Sequence, residues 1–125
     1  MHRTSWIPIA ALILVGSACA HRGTSADTDQ PLPVRVHVTN HYALQVDVYA
    51  VAGGTSYLMG TVSPGIDSRF VLRQAVLALG PVELVARPRG GEPPFRSERL
   101  LLAPGDVVEM EITSTLINST VNVRH

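Results

Sequence analysis

The strongest constraint in this sequence is a period-two alternation of apolar and polar side chains. Residues 34–38 read VRVHV, residues 44–50 read LQVDVYA and residues 108–112 read VEMEI. Successive side chains of a strand point to opposite faces, whereas a helix needs apolar residues three or four apart. These segments are therefore predicted to be strands with one buried face, and Leu44 is predicted to share the buried face of its strand.

Turn residues separate the alternating segments at short intervals. Gly53-Gly54 suits a tight hairpin because glycine adopts positive φ at no steric cost, and Pro64-Gly65 and Pro104-Gly105-Asp106 suit further turns. The alternation fails only in residues 73–80, where one helical turn capped by Gly80 is predicted. The predicted strands cover residues 34–38, 44–50, 56–62, 69–72, 82–87, 96–102, 108–113 and 119–124.

Seven or eight short strands at this spacing predict an all-β fold, a single antiparallel β-sandwich, over residues 34–125. In the predicted helical turn, Leu72, Val76 and Leu79 are expected to share one face. Phe70 alternates with the core positions and is expected to be buried.

The single cysteine of the chain, Cys19, follows a short apolar segment. Residues 1–18 combine a weakly positive start, an uncharged apolar run of about half the length that spans a bilayer, and small residues at the end. They are predicted to be a signal peptide. Residues 19–33 are small, polar or proline and are predicted to be a flexible tether. A secretory cut after Ala20 also satisfies the small-x-small rule, so a secreted, soluble form stays open.

The segment ending in Cys19 resembles the signal of bacterial lipoproteins, in which a peptidase cuts before a cysteine that carries diacylglycerol; Gly16 stands where leucine is usual. The resemblance implies lipidation of Cys19 and attachment to the bacterial cell envelope. Ala20, rather than aspartate, resembles the outer-membrane case if the cell is Gram-negative. The strand pattern and residues 100–112, LLLAPGDVVEMEI, resemble the immunoglobulin-like and transthyretin-like sandwiches that many small lipoproteins carry.

Charge and composition narrow the classes of function. The ten basic residues balance the ten acidic ones, and no basic stripe for a nucleic acid is present. After either cut no free thiol remains for a disulfide, a nucleophile or a thiolate metal site. His37 and His41 would be about 13 Å apart on a strand, too far for one metal. We therefore expect no metal, no cofactor and no enzymatic activity, and we interpret Glu109 and Glu111 as a solvated edge.

The segment that we select for partner binding is the loop PRGGEPPF with its flanks. It carries Arg87, Arg89, Phe95, Arg96 and Arg99. Guanidinium groups suit carboxylates and phosphates, and loops carry function more often than strands. Neutralisation by the interleaved Glu92 and Glu98 is the alternative interpretation of these arginines.

These observations predict a membrane-anchored envelope lipoprotein with a non-catalytic binding or structural domain. Its expected partners are the membrane, through Cys19, and an envelope protein or polysaccharide. The alternatives are a secreted carbohydrate- or peptide-binding module and, third, an envelope hydrolase. A sugar site would depend on stacking aromatic rings, for which the domain offers Tyr42, Tyr49, Tyr57 and Phe95.

Overall fold

Eight strands lie between Val34 and Arg124 in the computed structural model, which describes residues 32–125. The strands are β1 (Val34–Asn40), β2 (Val46–Ala52), β3 (Thr55–Val62), β4 (Asp67–Leu72), β5 (Val82–Pro88), β6 (Phe95–Leu100), β7 (Val107–Ile112) and β8 (Thr120–Arg124). One helix, α1 (Gln74–Leu77), precedes β5, and a 3₁₀ helix (Leu116–Asn118) precedes β8. The predicted all-β sandwich is confirmed.

The strands form two four-stranded sheets. Sheet A has the order β4-β1-β7-β8 and sheet B the order β3-β2-β5-β6. β1 and β7 run parallel to each other, whereas all other paired strands run antiparallel. The consecutive strands β1 and β2 lie in opposite sheets. A constant-type immunoglobulin domain differs, because its first two strands lie side by side in one sheet.

The core lies between the two sheets and consists mainly of β-branched side chains. Alternate residues of each central strand point inward and are inaccessible to solvent, so each buried valine, leucine or isoleucine contributes roughly 1.5 kcal/mol or more of burial free energy. The fully buried apolar residues are Val34, Val36, Val38, Val46, Val48, Ala50, Val62, Val82, Leu84, Ala86, Val108 and Ile112. The opposite faces carry the polar partners of the alternation, as the sequence predicts.

A buried asparagine, Asn40, lies where the chain passes from sheet A to sheet B. Its side chain is inaccessible to solvent, and its amide nitrogen donates hydrogen bonds of 3.0 Å to the carbonyl oxygens of Leu44 and Val62. Its amide oxygen accepts a 2.8 Å hydrogen bond from the backbone nitrogen of Tyr42. The Asn40 side chain therefore satisfies three backbone groups, two in the connection that follows β1 and one at the last residue of β3.

A second polar anchor, Asp106, holds the turn before β7. Its Oδ2 accepts a hydrogen bond of 2.8 Å from the backbone nitrogen of Ala103, and its Oδ1 lies 3.0 Å from Nδ1 of His125. The Ala103 backbone hydrogen bond, followed by the His125 contact, lowers the pKa of the Asp106 carboxyl group. The backbone oxygen of Asp106 in turn accepts from the nitrogen of Arg35 in β1, which ties the turn to sheet A.

Two core predictions are wrong. Leu44 is 42% exposed because β2 begins only at Val46, and residues 41–45 form a connection between the sheets. Leu79 is 47% exposed because α1 ends at Leu77, two residues before the position that a shared helical face would need. Leu72 and Val76 are buried as expected.

The turn glycines and Phe70 agree with the sequence interpretation. Gly53 and Gly54 have φ values of 58° and 79°, which the β2–β3 hairpin requires. Phe70 is partly buried and packs against the core. A Cβ atom added at Gly60 would lie 2.6 Å from Cε1 of Phe70, so the ring of β4 covers the backbone of β3 at a point where only glycine fits.

The predicted signal peptide, Cys19 as the predicted lipidation site and residues 20–31 of the predicted tether lie outside the described residues. Over residues 32–125, no helix has the length and apolar character needed to cross a membrane.

We expect the substitution Asn40→Ala to lower the free energy of unfolding by about 3 kcal/mol, because it leaves three backbone groups without their partner. Asn122→Ala is the matched control, since Asn122 is exposed in β8 and should change stability by less than about 0.5 kcal/mol. Urea unfolding of both variants measures the difference. Equal stability of the two variants would contradict the role assigned to Asn40.

Candidate functional site

The four arginines of the selected segment lie on the outer side of sheet B, with Arg99 beside Glu83, four positions along β5 from Arg87. Arg87 belongs to β5, Arg96 and Arg99 belong to β6, and Arg89 follows β5. Their backbone partners are outward-facing positions: Arg87 pairs with Asp47, and Arg96 pairs with Val85. We call the surface formed by Arg87, Arg89, Arg96 and Arg99 the arginine face. It is part of a sheet, whereas the sequence suggested the tip of a loop.

A β-bulge explains how Arg96 and Arg99, three residues apart, share one face. The register between β5 and β6 shifts between Glu83 and Val85, so that Arg99 pairs with Glu83 while Arg96 pairs with Val85. The shift leaves Leu84 outside the regular pairing, and the hydroxyl oxygen of Ser97 accepts a 2.9 Å hydrogen bond from the nitrogen of Leu84. On a regular strand, residues three apart point to opposite faces. The extra residue of the bulge places Arg96 and Arg99 on the same face.

Two of the four arginines are paired with carboxylates. Nη2 of Arg89 lies 3.3 Å from Oδ1 of Asp47, and Nη1 of Arg96 lies 2.9 Å from Oε1 of Glu83. Arg87 and Arg99 form no ion pair with any side chain in residues 32–125. The arginine face thus keeps two guanidinium groups that are available to an anionic partner.

Neutralisation comes from residues other than those expected. The carboxylates that pair with arginines are Asp47 and Glu83, which sit on β2 and β5. Glu92 interacts with Tyr42 instead. Burial of the Tyr42 phenol, followed by the negative charge of Glu92 and a hydrogen bond between the two side chains, raises the pKa of Tyr42. Glu98 is exposed in the bulged part of β6. Asp47 was visible in the sequence on the same strand face as Tyr49, but nothing there linked it to arginines forty residues later.

Tyr49 fixes the position of one free guanidinium. The Cζ atom of Arg87 lies 5.5 Å from the centroid of the Tyr49 ring, a cation-π arrangement. Beneath these side chains Val85 is only 3% exposed, although it points away from the core. The aliphatic stems of long charged side chains cover such apolar positions while the charged groups stay in water.

A small depression lies between Arg87 and Arg96. Its volume is about 130 Å³, and Tyr49, Val51 and Val85 supply its apolar lining. Binding pockets for whole small molecules measure roughly 300–1,000 Å³, so this depression is suited to a single protruding group. The unpaired guanidinium group of Arg87, opposite Arg96 whose charge Glu83 offsets, makes a carboxylate or phosphate the group that fits its charge.

Hydrogen bonding and charge hold Asp47 in its ionised form. The hydroxyl group of Thr61 donates a 2.6 Å hydrogen bond to Oδ1 of Asp47. This hydrogen bond is the largest effect and lowers the pKa of Asp47; burial, the second largest, opposes it, and the hydrogen bond and charge of Arg89 and the charge of Arg87 lower the pKa further. Asp47 is therefore a fixed negative charge that orients Arg89.

Phe95 does not belong to the arginine face. It pairs with Ala86, an inward-facing residue, and packs against the core while Arg96 points outward. With Glu92, Pro93, Pro94, Arg96, Leu116 and Ile117 it lines a groove of about 380 Å³ at the β6 edge. The structure thus separates Phe95 from Arg87, Arg89 and Arg99, whereas Arg96 borders this groove as well as the arginine face.

The aromatic residues considered for a sugar site lie on separate surfaces. Tyr42 is buried, Tyr49 carries Arg87, Tyr57 lines the gap between β3 and β4, and Phe95 packs at the β6 edge. A sugar platform needs exposed rings side by side. These four residues do not form one in the described part of the chain.

The outer face of sheet A carries the histidine and the glutamates considered earlier. His37 pairs with Glu109 across β1 and β7, and Glu111 pairs with Thr39. His41 lies beyond β1, with Nε2 3.9 Å from Oε2 of Glu111. Within residues 32–125, three or more histidine, cysteine or acidic side chains nowhere come together as ligands for a metal ion.

Comparisons with known proteins add no family to this description. The chain matches no protein-family model, no curated protein and no solved structure.

We expect Thr61→Val to raise the pKa of Asp47, because it removes the hydrogen bond that contributes most to the lowered value. A lowered carboxyl pKa stabilises the folded state above the ordinary pKa, and this stabilisation is lost as the pH falls through the folded-state value. Thr61→Val should therefore weaken the loss of stability on acidification below about pH 4. NMR titration of the Asp47 carboxyl carbon measures the shift. Thr55→Val, an exposed threonine of the same strand, is the control and should leave this pKa unchanged.

Proposed function

We propose that this chain is a lipid-anchored protein of the bacterial envelope whose sandwich domain binds an acidic surface of another protein without catalysing a reaction. The observation that carries the binding part is the arginine face, on which Tyr49 positions the unpaired Arg87 beside a small depression. The anchor part rests on the sequence that ends in Cys19.

Charge and shape both favour a protein partner. Tyrosine and arginine are, with tryptophan, enriched among the residues that dominate the energy of protein interfaces, and such residues lie in well-packed positions from which water is excluded. Tyr49, Arg87 and the covered Val85 provide this combination. The depression accepts one carboxylate, as from an aspartate or glutamate side chain, while the surrounding sheet surface offers area for further contact.

The arginine face is less suited to binding a sugar. Carbohydrate rings stack on exposed aromatic faces, but the guanidinium group of Arg87 lies over the Tyr49 ring. The remaining aromatic residues of the domain lie on other surfaces. An acidic polysaccharide is therefore kept as an outcome of the binding test.

The anchor is tested by the intact mass of the protein recovered from its native cells, with fragmentation of the N-terminal peptide. We expect a chain that starts at Cys19 and carries acyl groups, together with partition into a detergent phase. Substitution of Cys19 by Ala should release the chain from the membrane fraction. A mass that begins at His21 would contradict the anchor and support the secreted form.

The binding part is tested with poly-L-glutamate as a defined acidic polypeptide, using the full-length chain in detergent. We expect the double variant Arg87→Gln/Arg99→Gln to weaken this binding about tenfold or more, equivalent to about 1.4 kcal/mol. The affinity of the parent chain should also fall as ionic strength rises, because the contacts are exposed.

The matched control is Arg35→Gln/Arg69→Gln, which removes two exposed arginines from sheet A and therefore changes the net charge equally. Binding that both double variants weaken equally would reduce the effect to overall charge and contradict a specific face. Tight binding of alginate, an acidic polysaccharide, with none of poly-L-glutamate would replace the protein partner by a sugar polymer.

A further inference from the structure

The edge strand β3 differs from the other three edges of the sandwich in having no charged residue. Its sequence, TSYLMGTV, also lacks proline. β4 carries Asp67 and Arg69, β6 carries two arginines and a glutamate, and β8 ends in Arg124. Natural sheets protect exposed edges with charge, proline or covering segments, so an edge without charge or proline lacks the commonest protection.

The outer edge of β3 has no neighbour in the described part of the chain. β3 pairs only with β2, and none of the backbone hydrogen bonds from turns and loops in residues 32–125 reaches Thr55–Thr61. Half of the backbone groups of this strand therefore face outward. Such a row of donors and acceptors is a template for another strand.

The segment of β3 that is regular enough for pairing is residues 55–58. A β-bulge interrupts the pairing with β2 after Leu58, and Met59 is the extra residue. Leu58 points outward from sheet B and is 60% exposed. An exposed leucine at the centre of an uncharged edge gives a pairing strand an apolar contact in addition to its backbone hydrogen bonds.

A groove of mixed apolar and polar lining lies beside this edge, between β3 and β4. Its volume is about 570 Å³, and Tyr57, Met59, Phe70, Leu72 and Val76 provide its apolar lining. Arg69 and Arg73 lie at the opposite wall, on β4 and the residue before α1. The groove lets a strand that pairs with β3 bury inward-facing side chains against the existing core.

We propose that β3 pairs antiparallel with β3 of a second copy of this chain, so that sheet B continues across a two-fold axis. A two-fold axis places the same strand on both sides of the contact, so any charge near the axis would meet its own copy. β3 is the one edge strand of the described sandwich that has no charged residue and so avoids this repulsion in every register. Leu58 of one copy then covers Leu58 of the other, either directly opposite or one diagonal away.

The dimer has a geometric consequence for the outer surface. A continuous sheet keeps its outward faces on one side, so the two arginine faces lie in one plane. The inference about β3 rests on its own edge and groove, and it holds or fails independently of any acidic partner.

The test uses the full-length chain in membranes with single cysteines at the outward positions of β3, Ser56→Cys or Leu58→Cys. Residues 32–125 contain no cysteine, and the parent chain shows any reaction of Cys19 itself. We expect a short bis-maleimide to produce a covalent dimer from these variants and not from the control Glu98→Cys, an exposed position on the opposite edge strand β6. The mass of the product identifies its components.

A charge placed on the edge provides the second measurement. Leu58→Lys, or the milder Ser56→Lys, should lower the sedimentation-derived dimer fraction of the full chain by about fivefold or more, because like charges would meet across the axis. Ile117→Lys, at an 82% exposed residue beside β6, should leave the dimer unchanged. Unchanged unfolding midpoints show that the lysine variants remain folded.

Three results would overturn the proposal. The first is equal crosslinking at β3 and at Glu98, which indicates random collision. The second is a monomer at all concentrations with no β3 crosslink. The third is a β3 crosslink whose mass includes a different protein, which would identify this edge as a docking strand for that protein.

Discussion

The side chain and backbone of Asn40 form hydrogen bonds to the β1–β2 connection, to the end of β3 and to the β3–β4 turn, so that this residue joins both sheets. β1 ends at Asn40 and the next strand belongs to the other sheet, so the backbone must leave its ladder inside the core. A buried backbone group without a partner costs more free energy than a typical hydrogen bond contributes. The hydrogen bonds of the Asn40 side-chain amide are therefore important for stability. Its bond to Val62 also fixes the end of β3, and the backbone bonds between Asn40 and the turn at Gly65 and Ile66 fix the start of β4.

This crossover determines which strands become neighbours and hence what each surface displays. With β2 and β5 in the centre of sheet B, Tyr49 and Arg87 lie on the same outer face. The bulge in β6 then adds both Arg96 and Arg99 to this face. The arginine face is therefore a product of strand order and register, with residues that are far apart in the chain.

The same strand order leaves four edge strands, which differ in the charge of their side chains. Charged side chains on β4, β6 and β8 discourage further pairing, whereas β3 presents an uncharged edge beside a groove that Tyr57, Phe70 and Val76 help to line. Since Phe70 packs over Gly60, the groove keeps a defined shape at the point where β3 and β4 come close. Surface charge and edge pairing are thus located on different parts of one sheet.

The sequence by itself determined the fold class, the approximate strands and the tight hairpin, because period two and positive φ at Gly53 and Gly54 are local properties of the backbone. It could not determine the parallel pairing of β1 with β7 or the role of Asn40. Nor could it show that Arg96 and Arg99 converge while Phe95 turns to the core. Only the tertiary structure decides these points, because strand partners, bulges and buried hydrogen bonds depend on contacts between residues distant in the chain.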